Sequence, residues 1–296
     1  MPSQPLLIVV GGPTAAGKTR LAIELAHKLG TEIISADSRQ FYKEMRIGNA
    51  RPDPAELAAV RHHFVADRSL SDPLNAGGFA DAAGERIRDI HTRRHTAVMV
   101  GGSGLYIRAV TEGLDDFPPV SAEAAQRVAE LAAAEGLPGL QREVLRLDPD
   151  YYERVDRQNA RRLERALRVC YTAGRPYSSF LGRQSPRPFR TIALRPAVDR
   201  KELYRRIDKR VDRMLTQGLE AEARTLLPFR DLPVLQTVGY QEWWPYFDGD
   251  YDEERAVELI KRNSRRYAKR QLTWFRDYAE VKDATAALRL LDTAYL

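Results

Sequence analysis

The segment GGPTAAGKTR, residues 11–20, contains the residue types that hold phosphate groups in proteins. It matches the spacing GxxxxGK[ST] and lies between the apolar run LLIVV and the helical pattern RLAIELAHKL. In that context, successive backbone N–H groups turn toward an anion at a helix N-terminus. Lys18 would add a positive charge, and the Thr19 hydroxyl would be a ligand for Mg²⁺. The segment therefore predicts a phosphate or pyrophosphate site and leaves the rest of the ligand open. The loop consists of Gly12, Pro13, Thr14, Ala15, Ala16, Gly17, Lys18 and Thr19.

A carboxylate, Asp37, ends the next apolar segment, TEIISAD. Because the carboxyl ends of parallel strands lie at one edge of a sheet, we expect Asp37 to face the same crevice as the phosphate loop. An Asp there can be a general base, a magnesium ligand at one remove, or a cap for the following turn. The segment TAVMVGGS ends without the metal-binding Asp of many triphosphate-cleaving enzymes.

The elements that position these residues follow from hydrophobic patterns. Strands are predicted at 6–10, 31–37 and 96–102, with helical patterns at 19–29 and 79–91 between them. This alternation indicates a parallel sheet with helices on both faces. Residues 120–173 contain only helical patterns, and a fourth strand is predicted at 190–196. We therefore expect an α/β fold, a P-loop parallel sheet core flanked by helices (1–115 and 190–296), with an all-helical inserted domain (116–189).

Basic residues are concentrated in the segment KRNSRRYAKRQLTWFR, residues 261–276, within a chain of net charge +6. The segment has seven Lys or Arg residues and no acid, with Tyr267, Trp274 and Phe275 interleaved. This pattern suits a nucleic-acid backbone, and it equally suits a solvated helix face whose aromatic residues lie in the core. A second helical pattern places Arg161, Arg165 and Arg168 on one face, which favours the nucleic-acid interpretation.

The remaining candidate residues indicate ordinary structural roles. The single cysteine, Cys170, excludes an internal disulfide and a cysteine-rich zinc site. His62 and His63 lack a ligand partner at metal-binding spacing, and Trp243 with Trp244 favour core packing over a substrate pocket. No apolar stretch is long enough for a membrane span, and no signal-peptide pattern is present, so we expect a cytoplasmic protein without a membrane partner.

Motifs along nearly the whole chain together resemble the tRNA dimethylallyltransferase, or tRNA isopentenyltransferase, family of the bacterial type. They are GGPTAAGKT, ISADSRQFYKEMRIGNARP, VGGSGLYIRAVTEGL, DPDYYERVDRQNARRLERALRV, RIDKRVDRMLTQGLEAEARTLL, VGYQEWW and YAKRQLTWFR.

The resemblance implies transfer of a dimethylallyl group from dimethylallyl diphosphate to N6 of the adenosine adjacent, on the 3′ side, to the anticodon. Diphosphate is released. The phosphate loop would then hold an allylic diphosphate. The implied cofactor is Mg²⁺, with Thr19 as its protein ligand, and the implied partner is the anticodon stem-loop of tRNA. We expect the protein to be a monomer.

Site roles also follow from the resemblance. Asp37 would accept a hydrogen bond or a proton from the adenine N6. The leaving diphosphate would be stabilised by Thr14, Lys18, Thr19 and, from another side, Arg224. The residues implied to contact tRNA are Asp37, Ser38, Arg39, Gln40, Ser103, Arg161, Arg162, Leu163, Glu164, Arg165, Gln236, Thr237, Val238, Gly239, Tyr240 and Gln241.

The chain departs from the family pattern at IGNARP, where Thr and Lys are more usual, and at Asn159, where Asp is common. These departures concern the detailed RNA contacts. Three alternatives remain open: a small-molecule P-loop kinase, a nucleotide-gated RNA-binding protein, and a transferase that prenylates free adenine nucleotides.

Overall fold

The computed structural model describes residues 4–182 and 186–294, with the backbone alone for 293 and 294. Its centre is a parallel sheet in the order β3-β2-β4-β1-β5-β6. The predicted α/β fold with a parallel sheet is therefore confirmed. The strands are β1 (Leu6–Gly11), β2 (Ile33–Ser35), β3 (His62–His63), β4 (Thr96–Gly101), β5 (Arg190–Pro196) and β6 (Ala279–Val281).

Two strands, β3 and β6, escaped prediction from the sequence. They contain two and three residues, which is too few for a hydrophobic period to be recognised. Strand β2 is also shorter than the predicted 31–37. The four strands predicted from the sequence nevertheless correspond to β1, β2, β4 and β5.

The chain divides into two compact units, one of Met1–Thr111 with Arg187–Leu296 and one of Glu112–Pro186. The sheet belongs to the first unit. Its helices are α1 (Lys18–Lys28), α2 (Pro54–Ala59), α3 (Ala76–Arg93), α4 (Gly104–Thr111), α8 (Arg200–Thr216), α9 (Leu219–Leu226), α10 (Trp243–Asp248), α11 (Glu253–Trp274) and α12 (Ala284–Ala294). A 3₁₀ helix covers Leu227–Phe229.

Both faces of the sheet are covered. Leu7 and Val9 of β1 pack into a core with α3, whereas Leu6, Ile8 and Val10 pack into a second core with α1 and α12. Successive strand residues point to opposite faces, so a strand buried on both faces must be apolar throughout. This explains the uninterrupted run LLIVV. Trp243 and Trp244 are buried in the first core, as the sequence indicates.

The second unit contains only helical elements among its described residues, which are 112–182 and 186. Helix α5 (Ala122–Leu147) and helix α7 (Ala160–Ala173) pack around a core that includes Leu140 and Leu163. Helix α5 is broken at Gly136, whose φ of 59° is left-handed, and Pro138 follows within the next turn. The other elements are α6 (Pro149–Tyr152) and the 3₁₀ helix Tyr177–Phe180.

Strand register brings the candidate residues together. Gly11 of β1 pairs with Gly101 of β4, and Ser35 of β2 pairs with Val100. The segments that follow these strands therefore begin at the same edge of the sheet. They are the phosphate loop, the turn that starts at Asp37, and the turn that contains Ser103.

Candidate active site

The phosphate loop ends in a helix N-terminus that is open to an anion. Helix α1 starts at Lys18, and the preceding Gly17 has a φ of 90°, a conformation that favours glycine. No side chain caps this helix end. Its first N–H groups therefore remain available for phosphate oxygens.

Lys18 brings a desolvated positive charge to the loop. Its Nζ donates a hydrogen bond of 2.7 Å to the carbonyl oxygen of Pro13. Burial lowers the pKa of Lys18 to about 8; the negative charge of Asp37 opposes this shift, and the positive charge of Arg210 adds to it. An anionic ligand would raise this pKa again and favour the charged form of Lys18, because it supplies a counter-charge.

Thr14 is held from two sides by side chains from the C-terminal half of the chain. Its N–H donates to Oε1 of Gln271 over 2.9 Å, and its Oγ1 accepts from Nη1 of Arg210 over 3.0 Å. Gln271, which is 5% exposed, also donates from Nε2 to the carbonyl oxygen of Gly102 over 2.9 Å. Gln271 thus links the phosphate loop to the turn after β4.

Arg210 contacts the phosphate loop, although the sequence did not single it out as a site residue. Arg224 lies on α9, and its side chain is 56% exposed. It forms an ion pair with Glu220 at 2.6 Å, and its guanidinium carbon lies 4.3 Å from the centre of the Phe247 ring. These contacts lie on its own helix and on Phe247, so an approach of Arg224 to the diphosphate stays a prediction. Arg210, on α8, donates to Thr14 and also to the carbonyl oxygen of Ala50 over 3.0 Å. The motif RIDKRVDR contains Arg210, but its spacing alone does not mark this residue for the phosphate site.

Asp37 caps its own turn and faces the charges of the phosphate site. Its Oδ1 accepts a hydrogen bond of 3.1 Å from the Arg39 N–H, which is the capping role left open by the sequence. Its negative charge also raises the pKa of Lys18 and of Arg210 against the effect of burial. Because the cap uses Oδ1, the second oxygen, Oδ2, can accept a further proton or hydrogen bond. Capping and acid–base roles are therefore compatible in this geometry.

A cavity of about 240 Å³ lies between the turns after β2 and β4 and the end of α11. Ser38 and Ser103 join the two turns: the Ser38 N–H donates to Ser103 Oγ over 3.0 Å, and the two hydroxyls are 3.1 Å apart. Gln271 lines the cavity and contacts Thr14, so the cavity adjoins the phosphate loop. Its lining is Ser38, Arg39, Gly102, Ser103, Gly104, Leu105, Tyr106, Tyr267, Arg270, Gln271 and Trp274.

Of the four residues predicted at the turn after β2, Gln40 turns away from the cavity. Its Oε1 accepts from Ser35 Oγ over 3.3 Å, and its Nε2 donates to Ala50 O over 3.3 Å. Gln40 therefore supports the loop at Ala50. Arg39 lines the cavity and donates from Nε to the Thr237 hydroxyl.

The segment Gln236–Gln241 is mostly structural. Tyr240 is fully buried and donates from its hydroxyl to Glu222 over 2.7 Å, so its side chain cannot contact RNA as predicted. The Gly239 N–H donates to Glu242 over 2.8 Å, and Thr237 is buried beside Arg39. Val238 and Gln241 are half-buried, which leaves Gln236 as the exposed side chain of this segment.

Helix α7 carries an exposed basic surface in the second unit. Arg161, Arg162 and Arg165 are exposed, whereas Leu163 is fully buried in the core and cannot contact RNA as predicted. Glu164 is paired with Arg168 at 3.0 Å, so Arg168 does not extend the basic surface as an unpaired charge. The Asn159 side chain caps α7 by accepting from the Arg162 N–H over 3.3 Å.

The basic residues of helix α11 lie in two different environments. Lys261 pairs with Asp212, and Arg265 pairs with Asp208 at 2.5 Å. Arg266, Lys269 and Arg270 present their charges to solvent. Part of the basic segment is thus an ion-paired face, and part is an exposed positively charged surface.

Within the described part of the chain, no group of three or more His, Cys, Asp or Glu residues could hold a metal ion. His62 and His63 form β3, and His63 Nε2 lies 2.7 Å from Glu32 Oε2. Thr19, the second residue of α1, is half-buried at the phosphate loop. One hydroxyl is a suitable donor set for Mg²⁺ at a diphosphate, because Mg²⁺ takes its other ligands from phosphate oxygens and water.

Among the described residues, no helix has the length and apolarity that crossing a bilayer requires.

Comparison with known proteins gives close relatives. A tRNA dimethylallyltransferase from Christiangramia forsetii is 50% identical over 277 residues, which cover 93% of this chain and 92% of that protein. tRNA dimethylallyltransferase 1 from Bacteroides thetaiotaomicron is 43% identical over 279 residues, which cover 94% and 91% respectively.

Solved structures agree with these relatives. The full-length tRNA isopentenylpyrophosphate transferase from Bacillus halodurans has a TM-score of 0.68 and 34% identity, covering 94% of this chain and 90% of that chain. A eukaryotic dimethylallyltransferase captured while acting on tRNA has a TM-score of 0.79 and 26% identity, covering 91% of this chain and 69% of that one. The family model for IPP transferase matches residues 40–278. The chain therefore belongs to the IPP transferase family, as its motifs indicate.

Proposed function

We propose that this protein transfers a dimethylallyl group from dimethylallyl diphosphate to N6 of the adenosine on the 3′ side of the anticodon in tRNA. The observation that carries the proposal is the position of the cavity. Gln271 connects it to the phosphate loop, and Ser38 connects it to the turn that Asp37 begins. A diphosphate on the loop and a base beside Asp37 would meet in this cavity.

The charges of the site suit a leaving diphosphate. The allylic C–O bond breaks as positive charge develops on carbon and negative charge develops on the diphosphate. Donors that are already oriented toward the leaving oxygens stabilise this change most. Lys18, Arg210 and the N–H groups at the start of α1 would supply such donors. The turn after β4 has no carboxylate, which is consistent with a site that organises no γ-phosphoryl transfer.

The transfer step exchanges one bond at the prenyl carbon for another. The N6 lone pair forms a bond to C1 of the prenyl group, and the electrons of the C1–O bond leave with the diphosphate. One N6 proton passes to Oδ2 of Asp37 and then to solvent. Thr14, which Gln271 and Arg210 hold in place, would keep the loop in its binding conformation.

Mg²⁺ fits this site through the Thr19 hydroxyl. When bound, the ion would neutralise part of the charge on the diphosphate. Thr19 would hold it from the first turn of α1, with phosphate oxygens and water as the remaining ligands.

The tRNA would contribute its anticodon stem-loop. A stacked base cannot present N6 to a carbon in a cavity, so the adenosine must be flipped out of the stack. Arg266, Lys269 and Arg270 on α11 would contact the RNA backbone. Arg161, Arg162 and Arg165 on α7 would also contact tRNA. One chain supplies the phosphate loop, Asp37 and the cavity, so we propose that the protein acts as a monomer. We also propose that it acts in the cytoplasm.

A labelling assay tests this function. Purified protein and Mg²⁺ are incubated with radiolabelled dimethylallyl diphosphate and an unmodified tRNA that has adenosine beside the anticodon. AMP and the same tRNA with guanosine at that position serve as alternative acceptors. We expect label only in the adenosine tRNA. Label in AMP would identify a transferase for free nucleotides, and ATP hydrolysis without label in any acceptor would favour a kinase.

A further inference from the structure

The apolar side of the cavity is formed by two exposed side chains. Leu105 and Trp274 are 47% and 46% exposed, whereas most large apolar side chains of the described residues are buried. Trp274 lies against Gly104, where an added Cβ would overlap the indole. The Arg108 guanidinium lies 6.0 Å from the indole centre. Backbone and a charged group therefore keep Trp274 at the cavity.

The other sides of the cavity have defined neighbours. On one side, the lining residue Gln271 contacts Thr14 of the phosphate loop. On another side, the lining residue Ser38 directly follows Asp37 in the chain. The reacting carbon must lie between these two sides. The remaining carbons of the prenyl group must then extend sideways, and burial of apolar surface favours the wall of Leu105 and Trp274 over the polar lining.

The cavity is small, and Leu105 and Trp274 lie half-exposed along its apolar edge. Its volume of about 240 Å³ is below the roughly 300–1,000 Å³ typical of small-molecule sites. The flipped adenine and the five-carbon group must share this space. A ten-carbon donor would have to pass the position of the Trp274 indole.

We propose that Trp274, together with Leu105, restricts the donor to five carbons. This inference rests on the proposed prenyl transfer and adds a determinant of donor length to it. The indole contacts the end of the dimethylallyl group and occupies the path of a longer chain. Shortening the side chain opens that path toward solvent.

Donor competition tests this assignment. Wild type, Trp274→Ala, Trp274→Phe and Leu105→Ala are assayed with dimethylallyl diphosphate and with geranyl diphosphate, using the same adenosine tRNA. The readout is the ratio of kcat/KM for the ten-carbon donor to that for the five-carbon donor. We expect this ratio to rise about tenfold or more in Trp274→Ala, because a single methylene group in an apolar pocket already changes kcat/KM by about tenfold or more. Leu105→Ala should shift the ratio in the same direction, and Trp274→Phe should shift it less.

Phe229→Ala is the matched control. Phe229 is 51% exposed and does not line the cavity, so its removal should leave the donor ratio unchanged. Thermal melting establishes that each variant is folded, and Leu105→Ala decides the question if Trp274→Ala does not fold. A weaker tRNA affinity with an unchanged donor ratio in both alanine variants would mean that Trp274 stacks on RNA, and would overturn the inference. Wild-type protein that transfers neither donor would instead overturn the proposed function.

Discussion

The backbone N–H of Thr14 donates to the side-chain amide of Gln271, although the two residues are 257 positions apart in the chain. The same amide donates to Gly102 after β4, so one buried side chain connects two of the three turns around the cavity. The helix that presents basic residues to solvent therefore also positions the phosphate loop.

Gln271→Met should raise the KM for dimethylallyl diphosphate about tenfold, since the half-buried Thr14 N–H and the buried Gly102 carbonyl lose their partner. Methionine has a similar length and cannot make either hydrogen bond. The affinity for tRNA, measured by filter binding without the donor, should be nearly unchanged. Equal losses of donor and tRNA binding would show that Gln271 only supports the fold.

Asp37→Ala should reduce the rate of prenyl transfer by about 10²–10⁴-fold, because no group at that position accepts the N6 proton. The variant Asp37→Asn keeps an acceptor for the Arg39 N–H and should be similarly slow. Single-turnover kinetics with saturating tRNA measures this loss separately from binding. Normal transfer by Asp37→Asn would remove Asp37 from the acid–base chemistry and leave only the capping role.

Arg210→Ala should lower kcat by about 10²-fold, the usual cost of one donor to a developing negative charge. Arg224→Ala is the control, since Arg224 is paired with Glu220 on α9 and should be close to wild type. Steady-state kinetics on both variants distinguishes the two guanidinium groups. The reverse ranking would support the prediction for Arg224 and contradict the role of Arg210.

Arg266→Gln combined with Lys269→Gln should weaken tRNA binding and reduce the salt dependence of the affinity. On a double-stranded backbone, each lost phosphate contact reduces the slope of the logarithm of the binding constant against the logarithm of salt concentration by about 0.9. Arg205→Gln with Arg206→Gln removes the same charge from α8, where both residues pair with Glu202. If the α8 pair weakened binding as much as the α11 pair, net charge alone would explain the effect.

Glu143 should stabilise the helical unit only above acidic pH. A hydrogen bond from Arg146, together with one from Tyr171, lowers the pKa of Glu143 from 4.5 to about 2. A carboxylate with a lowered pKa stabilises the folded state above its unfolded pKa, and this stabilisation is lost between 4.5 and 2. Melting temperatures of wild type and Glu143→Gln should therefore converge as the pH falls through that range. Parallel curves would show that the carboxylate charge is irrelevant to stability.

The sequence by itself determined the phosphate loop, the central strands and the place of Asp37. The loop depends on glycine, lysine and threonine at fixed local spacing, and strands buried on both faces must be apolar along their whole length. Parallel strands bring their carboxyl ends to one edge, so the neighbourhood of Asp37 and the loop followed from the order of elements alone.

Only the tertiary structure decided which distant side chains complete the site. Arg210 and Arg224 both lie on charged amphipathic helices, and their composition does not show which guanidinium is turned toward the loop. Tyr240 and Leu163 lie in motifs that resemble RNA-binding segments, yet packing buries both. Gln271 and Trp274 occur in a basic segment, and their roles depend on contacts with turns far away in the chain. Such contacts arise from the packing of whole helices against the sheet, which local spacing does not specify.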